Sequence, residues 1–295
     1  MTHLKPFADQ QYLSIETFRK SGAGVRTPVW FVQDMDFFSI YFTVGIVILG
    51  VMILLWLSSL ALKDSSIVDI FWGTGFVITT WVVYALTPEG FALRKLLLTV
   101  LVTIWGLRLS LHILRRNWGK PEDFRYQAWR KEAGASWWWR SLFKVFLLQG
   151  VLLWIIATPL LVAQISAQPD HLTWIDILAV PVWLIGFFFE SAGDWQLARF
   201  KTNPANKGRV LQTGVWRYTR HPNYFGDATQ WWSYYLFSLA AGGWWTIFSP
   251  IIMTILLLRV SGVKLLEKTL KEEKPGYNDY IETTSEFIPW FPRQK

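Results

Sequence analysis

The densest chemistry in the chain lies in residues 216–227, above all Arg220-His221-Pro222-Asn223-Tyr224-Phe225-Gly226-Asp227. Pro222 disfavours helical geometry at His221 and is itself suited to the first turn of a helix. A helix opening there leaves backbone N–H groups free near Asn223 and Tyr224. Such an end attracts a phosphate, and Arg220 would reinforce it. The same residue types also suit an interfacial cap on lipid phosphate, and the types alone do not separate the two. Asp227 falls about one turn into the predicted helix, where an acid is costly unless it faces a partner or a wet cavity.

Further polar residues interrupt apolar sequence elsewhere. Glu190 and Asp194 are four apart and share a helix face. Glu190 follows Phe187-Phe188-Phe189, so it is predicted inside an apolar slab, as a functional acid or as an ion pair with Arg108 or Arg199. Arg108, His112 and Arg115 recur at intervals that put them on one helical face. Arg115 and Arg116 suit the end of a span, whereas Arg108 lies about two turns deeper. Asp69, with Trp72, Gly73 and Gly75 after it, is either a proton donor or an interfacial helix cap. Lys264, Glu267, Lys268, Tyr277 and Tyr280 lead to Phe287-Ile288-Pro289-Trp290-Phe291-Pro292, an aromatic tail expected as a helix lying on a membrane.

Several chemistries are excluded. The chain has no cysteine, which rules out disulfides, thiolate nucleophiles and Cys-ligated metals. Its four His stand in no His-Glu-x-x-His spacing, so no metal site is expected. No Gly-x-Gly-x-x-Gly follows a strand, so any nucleotide must be held by the helical domain's own loops.

The elements that position these residues follow from where the charge is. The chain is 52% hydrophobic, and its charges cluster between long uncharged runs. A run of about 18 or more apolar residues crosses a bilayer core as a helix. The expectation is an all-α, polytopic membrane protein of about seven transmembrane helices, at residues 37–62, 67–86, 91–114, 142–165, 172–193, 224–239 and 244–258. Residues 1–36 carry scattered charge without a continuous apolar core, so they read as an N-terminal leader and not as a cleavable signal. Residues 37–295 form the membrane domain. The net charge of +8 sits in loops 115–140 and 194–220 and in the tail after Arg259, while the alternate loops are nearly uncharged. Basic loops face the cytoplasm, which puts the N-terminus outside and the C-terminus inside, and no nucleic-acid partner is needed to explain the charge. The 20 Trp, paired or tripled as at Trp137-Trp138-Trp139, suit the membrane interface.

The motif at 214–227 together with Pro289-Trp290-Phe291-Pro292 resembles the steroid 5-alpha-reductase-like superfamily, in particular a bacterial branch long filed as a domain of unknown function. Trp105-Gly106-Leu107-Arg108-Leu109, Glu122-Asp123-Phe124-Arg125-Tyr126, Leu148-Gln149-Gly150 and the run from Glu190 to Lys201 extend the resemblance over residues 40–292. Its C-terminal half is also similar to sterol reductases and isoprenylcysteine carboxyl methyltransferases. The resemblance implies a seven-helix reductase of the bacterial inner membrane. NADPH would lie on the cytoplasmic side, and a lipid or steroid-like substrate would enter from the bilayer to have a C=C bond reduced. Cofactor contacts would come from Asp194, Arg199, Lys201, Arg220, His221, Asn223, Tyr224, Asp227 and Tyr277, with Arg108 and Arg116 as further phosphate-facing cations. Ile113 stands where the steroid reductases carry a proton-donating Tyr, so Asp69, His112 and Glu190 are the expected catalytic groups. The alternative is an S-adenosylmethionine-dependent lipid or prenyl methyltransferase, which the shared Arg220–Gly226 motif and the spacing of Glu267, Tyr277 and Tyr280 also fit.

Overall fold

The computed structural model describes residues 12–18, 24–30, 35–260 and 262–293. The chain divides into two compact units, residues 1–43 and 44–295. The first departs from an all-α expectation. Within the leader, β1 (Tyr12–Phe18) and β2 (Gly24–Trp30) pair antiparallel, with Tyr12 opposite Trp30 and Phe18 opposite Gly24. Ile15, Thr17, Val25, Thr27 and Val29 make these segments rich in β-branched residues, which favour a strand.

From Met35 on the described chain is helical. It runs through α1 (Met35–Leu62), α2 (Ile67–Leu86) and α3 (Ala92–Asn117). Next comes a long, locally irregular rod of α4 (Phe124–Ala133), α5 (Trp137–Ser141), α6 (Leu148–Ile156) and α7 (Thr158–Ile165). It is followed by α8 (Trp174–Thr202), α9 (Pro222–Ala240), α10 (Phe248–Ile255), α11 (Val263–Glu273) and α12 (Tyr277–Thr283).

Five helical stretches are long and apolar enough to cross a membrane: Phe37–Leu62, Ile67–Leu86, Ala92–Asn117, Phe124–Ile165 and Trp174–Thr202. They mark the chain as an integral membrane protein. The expected sixth and seventh spans are helical but fall short of that measure. α9 opens at Pro222 as the sequence predicts, yet it buries Asp227, Gln230, Ser233 and Ser238 against neighbouring helices, so it is too polar. The segment Trp244–Val260 is short, and it passes from a 3-10 turn through α10 to a π turn. The fifth span also differs from its expected end near residue 193. α8 continues to Thr202 and stops where Asn203 precedes Pro204, so Asp194, Arg199 and Lys201 stand on a helix and not in a loop.

Two close helix approaches set the geometry. A Cβ on Gly226 would lie 2.4 Å from both Glu190 N and Gly186 O, so α8 and α9 meet backbone to backbone at the level of Glu190. Gly73 and Gly106 bring α2 and α3 together in the same way, and the Ser110 hydroxyl beside them bonds the backbone and side chain of Thr74. At the opposite end, Arg94 of α3 holds Asp176 of α8 by two hydrogen bonds of 2.8 and 3.1 Å, with both side chains buried. Phe76, Trp105, Trp231 and Tyr234 pack edge-on or tilted between α2, α3 and α9, with ring centroids 4.6 to 6.0 Å apart.

Candidate functional site

The α8–α9 contact and the inward face of α3 converge on Glu190. Its Oε2 accepts hydrogen bonds from Trp105 Nε1 at 3.0 Å and Gln230 Nε2 at 2.6 Å, and its Oε1 accepts one from Arg108 Nη2. Arg108 Nη1 donates to Asp194 Oδ2 at 2.8 Å, so one guanidinium is shared by two carboxylates. Asn223 Nδ2 donates to Asp194 Oδ1 at 3.2 Å, and His112 Nε2 stands 3.7 Å from Asp194 Oδ2. The arrangement is one turn of α8 read against one turn of α3. Glu190 and Asp194 point the same way, and Arg108 lies between them and below His112.

This site is not closed by its own hydrogen bonds. Among the described residues eight buried side-chain polar atoms lack a well-formed hydrogen bond, and four belong here: Arg108 Nε, Gln230 Oε1, and Asp227 Oδ1 with Trp231 Nε1, the last two interacting with each other across one turn of α9. Two are donors and two acceptors. A buried polar atom left unpaired costs about 1–3 kcal/mol, so Arg108 Nε and Gln230 Oε1 are the two atoms here that call for a further partner.

A second polar network lies at the same end of the helices. Tyr126 Oη donates to Asp69 Oδ1 at 2.6 Å and accepts from Gln149 Nε2 at 3.2 Å. Arg125 bridges Asp69 and Asp123, each at 2.9 Å. Asp69 is therefore not a helix cap: its carboxylate is spent on α4. The Arg125 guanidinium and the Asp194 and Asp227 carboxylates all act electrostatically on Tyr224, which lies within reach of both networks.

The third cluster joins the loop before α9 to the tail. Arg220 Nε donates to Glu267 Oε1 at 2.7 Å, and Arg220 Nη1 donates to the Thr284 carbonyl at 2.6 Å. His221 Nε2 stands 3.1 Å from the same Glu267 oxygen, and its ring stacks on Tyr224. Burial would raise the Glu267 carboxyl, but its hydrogen bonds and charge pairing with His221 and Arg220 outweigh burial and hold it at about 2. Tyr277 is buried beside Tyr280, whose hydroxyl bonds the Trp216 carbonyl.

The expected residues thus sort into separate places. Arg108, His112, Glu190, Asp194, Asn223 and Asp227 come together. Asp69 is in the second network. Arg220, His221, Tyr224 and Tyr277 belong to the tail cluster, where the Arg220 guanidinium is engaged with Glu267 and backbone carbonyls. Lys201 feels the positive field of Lys274, Arg116 and Lys120, which makes a cationic rim. Arg199 instead stacks over the exposed Trp195 ring, 5.4 Å from its centroid. Trp105, Gln230, Tyr126 and Gln149 were not expected as site residues, and Glu267 was singled out only for the methyltransferase alternative. Trp105 precedes Arg108 by three and Gln230 follows Asp227 by three, so helical spacing from a known member is the signal that points to both. Among the described residues no group of three or more His, Asp or Glu could hold a metal ion.

Fold and site together define a helical membrane protein with buried, paired charge at one end. A family model described as "Protein of unknown function (DUF1295)" matches residues 55–284, and the chain belongs to that family. It is also similar to an uncharacterized protein of Schizosaccharomyces pombe, C594.04c, at 25% identity over 88% of this chain and 84% of the yeast protein. No solved structure matches it.

Proposed function

We propose that this protein is an NADPH-dependent membrane reductase acting on a C=C bond conjugated to a carbonyl in a lipid substrate. The observation that carries the reading is the buried charge around Glu190 with Arg108 Nε and Gln230 Oε1 left unpaired beside it. A nicotinamide carboxamide has N–H donors and a carbonyl acceptor, which suits the acceptor Gln230 Oε1 and the donor Arg108 Nε left open there. The rim of Lys201, Arg116, Lys120 and Lys274 supplies what phosphate groups require. In this reading NADPH supplies hydride to one carbon of the double bond. The chain's own residues must then deliver a proton to the other carbon by way of the carbonyl oxygen. We assign this to Tyr126, whose hydroxyl is held between Asp69 and Gln149 and would turn its hydrogen from Asp69 to the carbonyl oxygen when substrate binds. It takes the part that Ile113 cannot. Glu190, Arg108 and Asp194 position the reacting end and do not transfer the proton. Seven spans, with α9 and the Trp244–Val260 segment as the last two, and basic loops on the cytoplasmic side complete the picture. The substrate enters from the bilayer.

A second reading has an observation of its own. Glu190, Asp194 and Asp227 outnumber Arg108, so the pocket would also suit a sulfonium, as in an S-adenosylmethionine-dependent lipid methyltransferase. Calorimetric titration of detergent-purified protein with NADPH, NADH and S-adenosylmethionine separates them. Tight binding of NADPH, weakened in Asp227→Asn and in Lys201→Ala, is the expected result. Binding of S-adenosylmethionine alone would overturn the reductase reading and support the second.

A further inference from the structure

The tail beyond α12 plays no part in the proposed reaction, yet it is firmly built. Residues 285–293 form an irregular strap over the loop before α9. Arg220 N donates to Ser285 O and Trp290 N to Tyr218 O, both at 2.9 Å, and Arg293 N donates to Thr283 O at 2.8 Å. Thr219 Oγ1 adds a bond to Phe287 O at 2.9 Å. A half-open groove of about 340 Å³ borders the strap, lined in part by Arg220, Thr284, Trp290 and Phe291. The largest apolar side chains of the strap are exposed: Ile288 is 66% exposed, Trp290 69% and Phe291 76%.

The depth of the strap says what covers them. Phe287 stacks edge-on against Phe225 at 6.0 Å, and Phe225 against Phe189 of α8 at 5.2 Å. The neighbouring Phe188 is 59% exposed on the apolar outer surface of the same span. Six residues beyond Phe189 on α8, or about 9 Å at the helical rise, Trp195 and Arg199 make the aromatic–cation pairing typical of a membrane–water boundary. The strap therefore continues the lipid-facing surface of α8 at the boundary layer.

We propose that the Ile288–Phe291 edge rests in the interfacial layer of the bilayer, that its partner is the phospholipid surface itself, and that this contact keeps the strap closed over Arg220 and His221. Exposed Arg217 and Arg293 beside the aromatic rings fit lipid phosphates. The chain has no cysteine, so a single label can be placed cleanly. The full-length Ile288→Cys variant, carrying an environment-sensitive fluorophore, is placed in nanodiscs of phosphatidylcholine and phosphatidylglycerol with nitroxide-labelled headgroups. Lys207→Cys, in the polar loop after α8, is the reference. The expected result is several-fold stronger quenching at 288 than at 207. Adding Trp290→Asp and Phe291→Asp should abolish the difference and should speed hydrogen exchange at the backbone amides of residues 290 and 293. Equal quenching at the two sites would overturn the lipid contact, and unchanged exchange in the Asp variant would overturn its role in closure. Neither readout involves a cofactor or turnover, so failure here is distinct from failure of the reductase reading.

Discussion

Arg108 is one guanidinium divided between Glu190 and Asp194, and it leaves its Nε unpaired. Two carboxylates on one cation, inside a helical bundle, are poor value as a stability device, because desolvating charges offsets most of what their pairing contributes. The arrangement makes sense when a ligand completes it. Tyr126 illustrates the opposite case, a residue quoted in the sequence for its motif but given no role there. Its hydroxyl acquires one only when α4 folds back to Asp69. Tyr126→Phe keeps the ring and removes the hydroxyl. We expect reductase turnover to fall by about 10²–10⁴-fold, the usual worth of a positioned proton donor, with NADPH affinity unchanged. Stopped-flow oxidation of NADPH, read beside a binding titration, checks this, and a simultaneous loss of binding would mean that Tyr126 serves the cofactor instead.

At the scale of elements, the α8–α9 pair is the frame of the site. Trp183 Nε1 donates to Tyr234 Oη at 3.0 Å and Ser233 Oγ to the Ala179 carbonyl at 2.7 Å, and Gly186 with Gly226 removes the side chains that would hold the backbones apart. Gly226→Ala puts a methyl 2.4 Å from backbone atoms of α8, a distance no real Cβ tolerates, so the helices must separate. The overpacking cost is about 1–3 kcal/mol, and the displaced α9 carries Gln230 away from Glu190. Gly50→Ala, with nothing within 4 Å of the added methyl, is the control. Thermal unfolding in detergent should drop for the first variant and hold or rise slightly for the second. Similar midpoints would show that α8 and α9 can part without loss.

Across the whole molecule, basic residues are treated differently at the two ends. Arg94 is neutralised by Asp176, and Lys95 bonds the Thr87 carbonyl, so neither offers charge to the outside. Exposed cations such as Arg115, Arg116, Lys120 and Lys201 gather at the end that carries the site and the tail. Glu267 ties that tail down. Its native carboxyl sits at about 2 against an ordinary value of 4.5, so the stabilisation it gives is complete above the ordinary value and is lost as pH falls toward 2. Wild-type protein should therefore lose tail protection across that window, read as protease susceptibility beyond α12. Glu267→Gln should start less protected and change little with pH. A variant that follows the wild-type curve would place the acid sensitivity elsewhere.

What the sequence determined by itself was largely local. Apolar runs longer than a bilayer core specify the first spans, because an isolated backbone in lipid has no alternative to a helix. Pro222 specifies where α9 begins through its own ring geometry, and the four-residue spacing of Glu190 and Asp194 specifies a shared face. Even the ion pair of Glu190 with Arg108 was among the readings open to the sequence. Tertiary structure alone decided which polar residues meet. Asp69 chose Tyr126 and Arg125 over a cap, Arg220 turned to Glu267 and the tail, and Trp105 with Gln230 completed the shell of Glu190. α9 shows the reason most clearly. The sequence reads it as a span, yet its polar residues keep it below the hydropathy of one, and they are tolerated because neighbouring helices cover them. Hydropathy counts a residue against lipid, but what surrounds it is set by packing between segments far apart in the chain.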